Sequence, residues 1–467
     1  MKVRILAFFM AVLMVFCLCA CGDENNCEKI DTSSNVLVDD GTEKGGKKAE
    51  EKKPVKKSAK SDKNSITDKD TFMSIKGINV KKVNPGEQSP ELKSRLISGK
   101  NDIKREEYYQ YDSLTSTEKK VYNKLCSAIE RTQNFVDVSE YSIRVSSAAN
   151  ILQKLIADNP GYFWLSKNSS LKYDKEKDRV FTYILLYSDG ETVDSIDSDY
   201  KIKHLCSRDT IAAKLLKLNQ KTDEFLKTVP ENFSDIYKER FIHDFIIKSV
   251  DYDSTVTENS TDENKSLPHA FDIYGALVER SAVCEGYSKL FQYLCYRTGI
   301  NCTEAVGTAR GGEHMWNTVK IGENWAHVDV TWDDTMGGGE VPYYGYFNVV
   351  TAKINDDRDI DTSVLSQPTC SEKSLSFSNY FALIYSSADK TVTNVEESLD
   401  MLNDVGDYLV IYGINGILPE KSFLESFVFD DNSTVKKYIS RNDYDINIEN
   451  KQINVGKFVY IPVKKSQ

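Results

Sequence analysis

One cysteine, two histidines and one aspartate in the middle of the chain have the types and spacing for acyl-transfer chemistry. Cys284 lies in SAVCEGYSKLF (281–291), among small residues, and YSKLFQYLCYRTG continues as a helix that Gly299 stops. The thiol is predicted at or just before the first turn, where unpaired backbone N–H groups and the helix dipole favour negative charge. Being a cysteine is not enough, because the chain has 10 of them. Cys295, three turns further on among Phe291, Leu294 and Tyr296, has the setting of an inert packed thiol.

A thiolate also needs a base, and His314 and His327 both fall in EHMWNTVKIGENWAHVDVTWDD (313–334). The alternation predicts a hairpin with strands near 314–321 and 324–332 around a turn at Gly322 and Glu323. A two-residue turn pairs Ile321 with Asn324 and His314 with Thr331. Asp329 is then a diagonal neighbour on the His314 face, about 7–8 Å away at the backbone, within side-chain reach. Met315, Val319, Ile321, Val328 and Val330 form the opposite, core face. A one-residue slip would separate His314 from Asp329, and the apolar alternation opposes it. In this geometry Asp329 orients one ring nitrogen of His314 while the other faces Cys284: nucleophile, base and orienter. His327 shares the predicted face, so parity alone leaves it open as the base.

AVCEGYSKLF, EHMWNTVKI and WAHVDVTWDD, in that order, resemble the bacterial transglutaminase-like superfamily over roughly residues 235–350. The resemblance implies an α+β fold with a papain-like core, in which a cysteine at a helix start packs against an antiparallel sheet bearing histidine and aspartate. Carried over residue by residue, it makes Cys284 the nucleophile, His314 the general base and acid, and Asp329 the orienter. It sets His327 aside, as the strand residue just before the acid. The upstream KSVDYD looks like the tyrosine-containing turn of these domains. It makes Tyr252 a candidate oxyanion donor beside the Cys284 backbone N–H, against the plainer reading of a core tyrosine. The implied reaction is attack of the thiolate on an amide carbonyl, with an oxyanion held by donors, and a thioester. Water then hydrolyses it or a lysine amine captures it. The triad is common to both outcomes, and hydrolysis is the expectation where no acceptor channel is evident.

The remaining sequence must position and deliver this centre. MKVR followed by ILAFFMAVLMVFCL has the basic and apolar regions of a secretory leader over residues 1–20. LCAC (18–21) resembles a bacterial lipobox, which makes Cys21 the lipidation site and the protein an extracytoplasmic one held at the membrane by its acyl chains. Residues 21–104 are rich in Lys, Glu, Gly and Ser and read as a disordered charged tether. Residues 105–230 read as a helix-rich α+β module: LTSTEKKVYNKLCSAIE opens with Thr115 and Glu118 at capping-box spacing, and AANILQKLIADNP is a second helix. The transglutaminase-like region spans 231–385, and His243 on its first helix reads as structural. Residues 390–467 alternate as a small α/β module, and Thr393 and Glu396 repeat the capping-box spacing.

A net charge of −11 argues against nucleic-acid binding and against docking on acidic lipid through charge. The cysteines have no CxxC pair, so neither a disulfide framework nor a zinc site is expected, and no phosphate-binding or dinucleotide fingerprint calls for a cofactor. TARGGEH and TMGGGE read as mobile loops flanking the cleft. The expected substrates are extracellular proteins, peptides or cell-wall stem peptides. The rival reading is a surface-binding protein that uses the same fold as a silent scaffold, with the flanking modules doing the recognition.

Overall fold

The computed structural model describes residues 107–465, apart from short internal stretches of which 257–266 and 400–407 are the longest. The leader, Cys21 and the charged tether lie outside the described residues. The fold is mixed α+β, built mainly on antiparallel sheets.

The amino-terminal region begins as its capping signal dictates. The Glu118 carboxylate accepts the Thr115 N–H at 2.9 Å, and Thr115 Oγ1 accepts the Glu118 N–H at 3.4 Å. This closed box starts the helix Ser116–Ile129, which buries Val121, Leu125 and Ile129 on one face. The helix Val145–Asp158 follows and ends at Asn159. Both are accompanied by a three-stranded antiparallel sheet of Phe135–Asp137, Arg179–Ile184 and Ser170–Asp174, in that spatial order. A long helix, Arg208–Leu226, is capped by Ser207, whose side chain accepts the Thr210 N–H at 3.1 Å.

The central region carries the helices Asp235–Ser249 and Cys284–Thr298. Gly299 ends the second with φ of 86°, the left-handed conformation that glycine adopts without a Cβ penalty. A four-stranded antiparallel sheet runs Asn324–Val328, Gly312–Ile321, Cys302–Ala309, Arg358–Ile360 in space. Ile321 pairs with Asn324, the register that the two-residue turn requires.

Several expectations are corrected. The second hairpin strand does not reach residue 332: it stops at Val328, and a helix runs Val330–Gly337. Asp329 is the reason. Its Oδ1 accepts the Trp332 N–H at 3.1 Å and its carbonyl accepts the Asp333 N–H at 3.0 Å, so a short acceptor side chain starts a helix where the alternation suggested more strand. TARGGEH is no loop. Ala309 pairs with Gly312, and Arg310 (φ 49°) and Gly311 (φ 85°) make a tight two-residue turn whose positive φ values match the strand twist. Residues 338–340 of the second glycine run lie outside the described residues. Met315 is only half-buried, and Thr393 ends a strand, Thr391–Thr393.

One hydrophobic core crosses the module boundaries. It joins Leu125 and Ile151 of the amino-terminal region to Leu290, Phe291 and Val319 of the centre and on to Tyr460 near the carboxyl end. Burying each such large apolar side chain is worth about 1.5–3 kcal/mol before ordering costs. A second core, including Leu383, Leu409, Ile411, Leu424 and Ile461, joins the carboxyl-terminal sheet to the helix Lys421–Phe429. In that sheet Phe458–Lys465 pairs with Tyr408–Gly413, Tyr444–Ile446 and Ile453–Val455. Among the described residues no helix is long and apolar enough to cross a membrane.

Candidate active site

Cys284 is the first residue of its helix, and Val283 before it offers no side-chain cap. The first bond of that helix runs from the Tyr287 N–H to the Val283 carbonyl at 3.1 Å. The amides of Cys284, Glu285 and Gly286 therefore precede the intrahelical ladder, as at any helix start. The turn is fixed from three sides. The Val283 N–H donates to the Ala270 carbonyl at 3.0 Å. Gly286 lets that same strand of backbone come close, since a Cβ there would stand 2.5 Å from the Ala270 oxygen. Glu285 takes Lys289 at 2.5 Å from its own helix and Lys167 at 2.7 Å from the amino-terminal region. Burial pushes the Glu285 carboxyl up, but the two ammonium groups outweigh it and hold it at about 2. The amino-terminal region thus reaches the residue beside the cysteine.

One turn further on, Ser288 locks the helix to the sheet. Its hydroxyl donates to the Met315 carbonyl at 2.9 Å, and its carbonyl accepts from Asn317 Nδ2 at 3.1 Å. These bonds set the level of Cys284 against His314, the neighbour of Met315.

His314 and Asp329 meet directly: Nε2 and Oδ2 are 2.7 Å apart. The contact does not use the diagonal strand pairing, because Asp329 lies beyond the strand end as the cap of the next helix. Nε2 is committed to Asp329, which leaves Nδ1 for the thiol. The ring stacks on Trp316, with centroids 5.8 Å apart and planes at 16°. Burial pulls the imidazolium pKa down, yet Asp329 and the hydrogen-bonding Cys284 more than offset it and raise it to about 9. Asp329 shows the reverse balance: burial pushes it up, and His314 and then Arg358 hold it below the usual carboxylate range. An imidazole held in this way can take up a proton and return it to a leaving group.

Tyr252 comes to the same place by a short parallel pairing. Asp251–Tyr252 runs beside Ser281–Ala282, with Tyr252 opposite Ala282. Its ring leans on Tyr287 at 6.3 Å, and it is 36% exposed, so the core-tyrosine reading does not hold. Burial of the hydroxyl, then the charges of Cys284, Asp253 and Asp329, push its pKa up, so it stays a phenol able to donate.

His327 is elsewhere in its chemistry. It is fully buried, its Nδ1 accepts the Trp316 indole N–H at 3.2 Å, and its Nε2 lies 3.1 Å from Thr351 Oγ1. Nδ1 is an acceptor, so Nε2 carries the proton. Burial and then the Arg358 charge pull its pKa to about 4, which keeps the ring neutral. His243 is buried between two carboxylates, Asp244 Oδ1 at 3.0 Å and Asp333 Oδ2 at 3.1 Å, and ties its helix to the Val330–Gly337 helix.

The sequence reading missed Arg358, whose Nε and Nη2 reach Asp329 Oδ2 at 3.1 and 2.5 Å. Its setting, NDDRDI, has the composition of a solvated turn, and nothing in the spacing links it to residue 329. Cys206, Cys295, Cys302 and Cys370 are buried free thiols, as is Cys284, and Cys126 is buried as well. Among the described residues no cluster of three or more His, Cys, Asp or Glu side chains could hold a metal ion.

Comparison with known proteins finds likeness in the central part of the chain. Residues 223–330 match the model of the transglutaminase-like superfamily. Kyphoscoliosis peptidase of Mus musculus is 28% identical over 127 residues, covering 25% of this chain and 18% of the relative. The Homo sapiens protein of the same name is 27% identical over 114 residues, 22% of this chain and 16% of the relative. The chain thus spans less than a fifth of the length of these relatives. Among solved structures, a Cytophaga hutchinsonii protein assigned as a cysteine protease aligns at a TM-score of 0.21 and 16% identity, over 40% of this chain and 58% of that one. A structure described as a TGase aligns at 0.22 and 14%, over 40% and 48%. Neither superposition is close enough to carry function across.

Proposed function

We propose, from the match of residues 223–330 to the transglutaminase-like superfamily model, that the protein is a thiol enzyme acting on amide bonds of proteins or peptides. Cys284 is the nucleophile, His314 the base and acid, and Asp329 the group that orients the ring. One observation carries this reading: Asp329 holds Nε2 of His314 at 2.7 Å, and Cys284 lies near enough to the same ring to help raise its pKa.

The steps follow from that geometry. The thiol proton passes to Nδ1, and the sulfur attacks the carbonyl carbon. The oxyanion forms beside the helix start, where the Cys284 N–H and the Tyr252 hydroxyl are the available donors. His314 gives its proton to the departing nitrogen as the C–N bond breaks, and a thioester remains. Water, deprotonated by the same ring, releases the acid and the thiol. An amine in place of water would give a new amide, and hydrolysis is the favoured outcome because water needs no acceptor channel. No cofactor enters these steps. The leader and Cys21 support a lipid anchor on the outer face of a bacterial membrane, with extracellular proteins, peptides or cell-wall peptides as substrates.

A second reading is favoured by one observation, that Cys284 is only 4% exposed. On that reading the thiol is sealed and the fold is a scaffold for binding a surface partner. Selective alkylation separates the two. Iodoacetamide is expected to label Cys284 faster than Cys295 or Cys302, which are 0% and 2% exposed. Equal labelling of all three in the folded protein, read by peptide mass spectrometry, would favour the scaffold.

A further inference from the structure

We propose that Arg358 is a positioning residue of this site, one that locks Asp329 in place and sets how firmly that carboxylate holds the His314 ring. The inference rests on the triad reading above. Its basis is the crowding of one oxygen. Asp329 Oδ2 accepts His314 Nε2 at 2.7 Å together with Arg358 Nε at 3.1 Å and Nη2 at 2.5 Å. The other oxygen, Oδ1, accepts the Trp332 N–H at 3.1 Å. Donors from three separate elements leave the carboxylate no freedom to turn.

The guanidinium is itself held. Its plane lies over Tyr346 at 4.0 Å and near Trp332 at 5.0 Å. Nη1 donates to Asp357, whose other oxygen accepts the Tyr346 hydroxyl at 2.6 Å. Both the Arg358 and Asp329 side chains are 0% exposed. A carboxylate so deeply buried stays ionised only beside positive charge, and the imidazole supplies none once it has lost its proton. Arg358 supplies it in both states of the ring.

The charges around the pair come from every side: Cys284 from its helix, Tyr252 from the short strand, Asp333 from the Val330–Gly337 helix, and His327, whose ring feels Arg358, from the adjacent strand. Among the described residues, Arg358 and His314 are the cationic groups that hydrogen-bond Asp329 itself. Removing the guanidinium charge therefore makes each protonation of the Asp329–His314 pair easier. Both pH limits of activity should move upward.

Lysine keeps the charge but cannot fork onto one oxygen while stacked between two rings. In full-length protein with 15N-labelled histidine, Arg358→Gln should raise the titration midpoint of His314 by about one pH unit. Arg358→Lys should return it towards wild type without restoring the rate of Cys284 alkylation. In the wild type, the Asp329 carboxyl carbon should show no titration step before acid unfolding. A structural role alone would lower stability and leave the His314 midpoint unmoved. An unmoved midpoint in folded Arg358→Gln, a midpoint in Arg358→Lys displaced as far as in Arg358→Gln, or an ordinary carboxylate titration of Asp329 in the wild type, would overturn the inference. These readouts need no turnover: an unreactive Cys284 beside a shifted His314 would defeat the enzyme reading and leave the role of Arg358 standing.

Discussion

Replacing Cys284 by alanine is expected to cut acyl transfer by about 10⁴-fold or more, since loss of the nucleophile leaves only binding and oxyanion donors. The fold should survive. The side chain lost is small, and the bonds that fix the turn run through Val283, Glu285 and Ser288. The measurement is turnover on a peptide amide, with the melting temperature recorded alongside. The same variant separates catalysis from binding in the cell. A phenotype that vanishes while the surface level of the protein persists belongs to catalysis; an unchanged phenotype belongs to binding.

Asp329→Asn is expected to do two kinds of damage. Catalysis should fall by about 10³–10⁴-fold, because an amide no longer selects the tautomer or holds the imidazolium. Stability should fall by about 3–5 kcal/mol, because Arg358 would be left buried without its counter-charge. The pH dependence gives both effects a signature. His314 has its pKa at about 9 in the folded chain, against about 6.5 for the free side chain. Its contribution to stability is complete below about 6.5 and is lost as pH rises through about 9. Asp329 is held low, so its contribution is present above about 3.9 and is lost as pH falls through its depressed value. The stability gap between wild type and Asp329→Asn should thus be widest between these limits. The alkaline limit of wild-type activity should fall near 9, where the imidazolium loses its proton, and the variant's should lie lower. Urea titrations and rate profiles across pH 4–10 measure both.

How much of this was legible before the structure depends on the range of each interaction. The helix beginning at Cys284 and ending before Gly299 is a local pattern, and so is the Ile321–Asn324 register. The capping box at Thr115 is equally local. Asp329 was legible as the partner of His314 but by a wrong route. Alternation carried the strand through it, whereas a capping side chain ended the strand and swung the carboxylate onto the ring from the start of a helix. Tyr252 reaches the cysteine through two-residue strands, too short to leave a periodic trace. Arg358 depends on docking of the edge strand Arg358–Ile360 against Gly307–Ala309, a pairing whose sequence signal is indistinguishable from a charged turn. The boundaries near 230 and 385 followed composition, which cannot reveal that one apolar core continues across them.

Trapping the acyl-enzyme tests the central claim most directly. The folded protein would be exposed to p-nitrophenyl acetate at neutral pH, quenched in acid and digested for mass spectrometry. The account predicts a single acetyl group on the peptide containing Cys284, released by hydroxylamine, absent from Cys284→Ala and strongly reduced in His314→Gln. Nitrophenol release with no acetyl group on Cys284, or an acetylation rate that His314→Gln leaves unchanged, would contradict it.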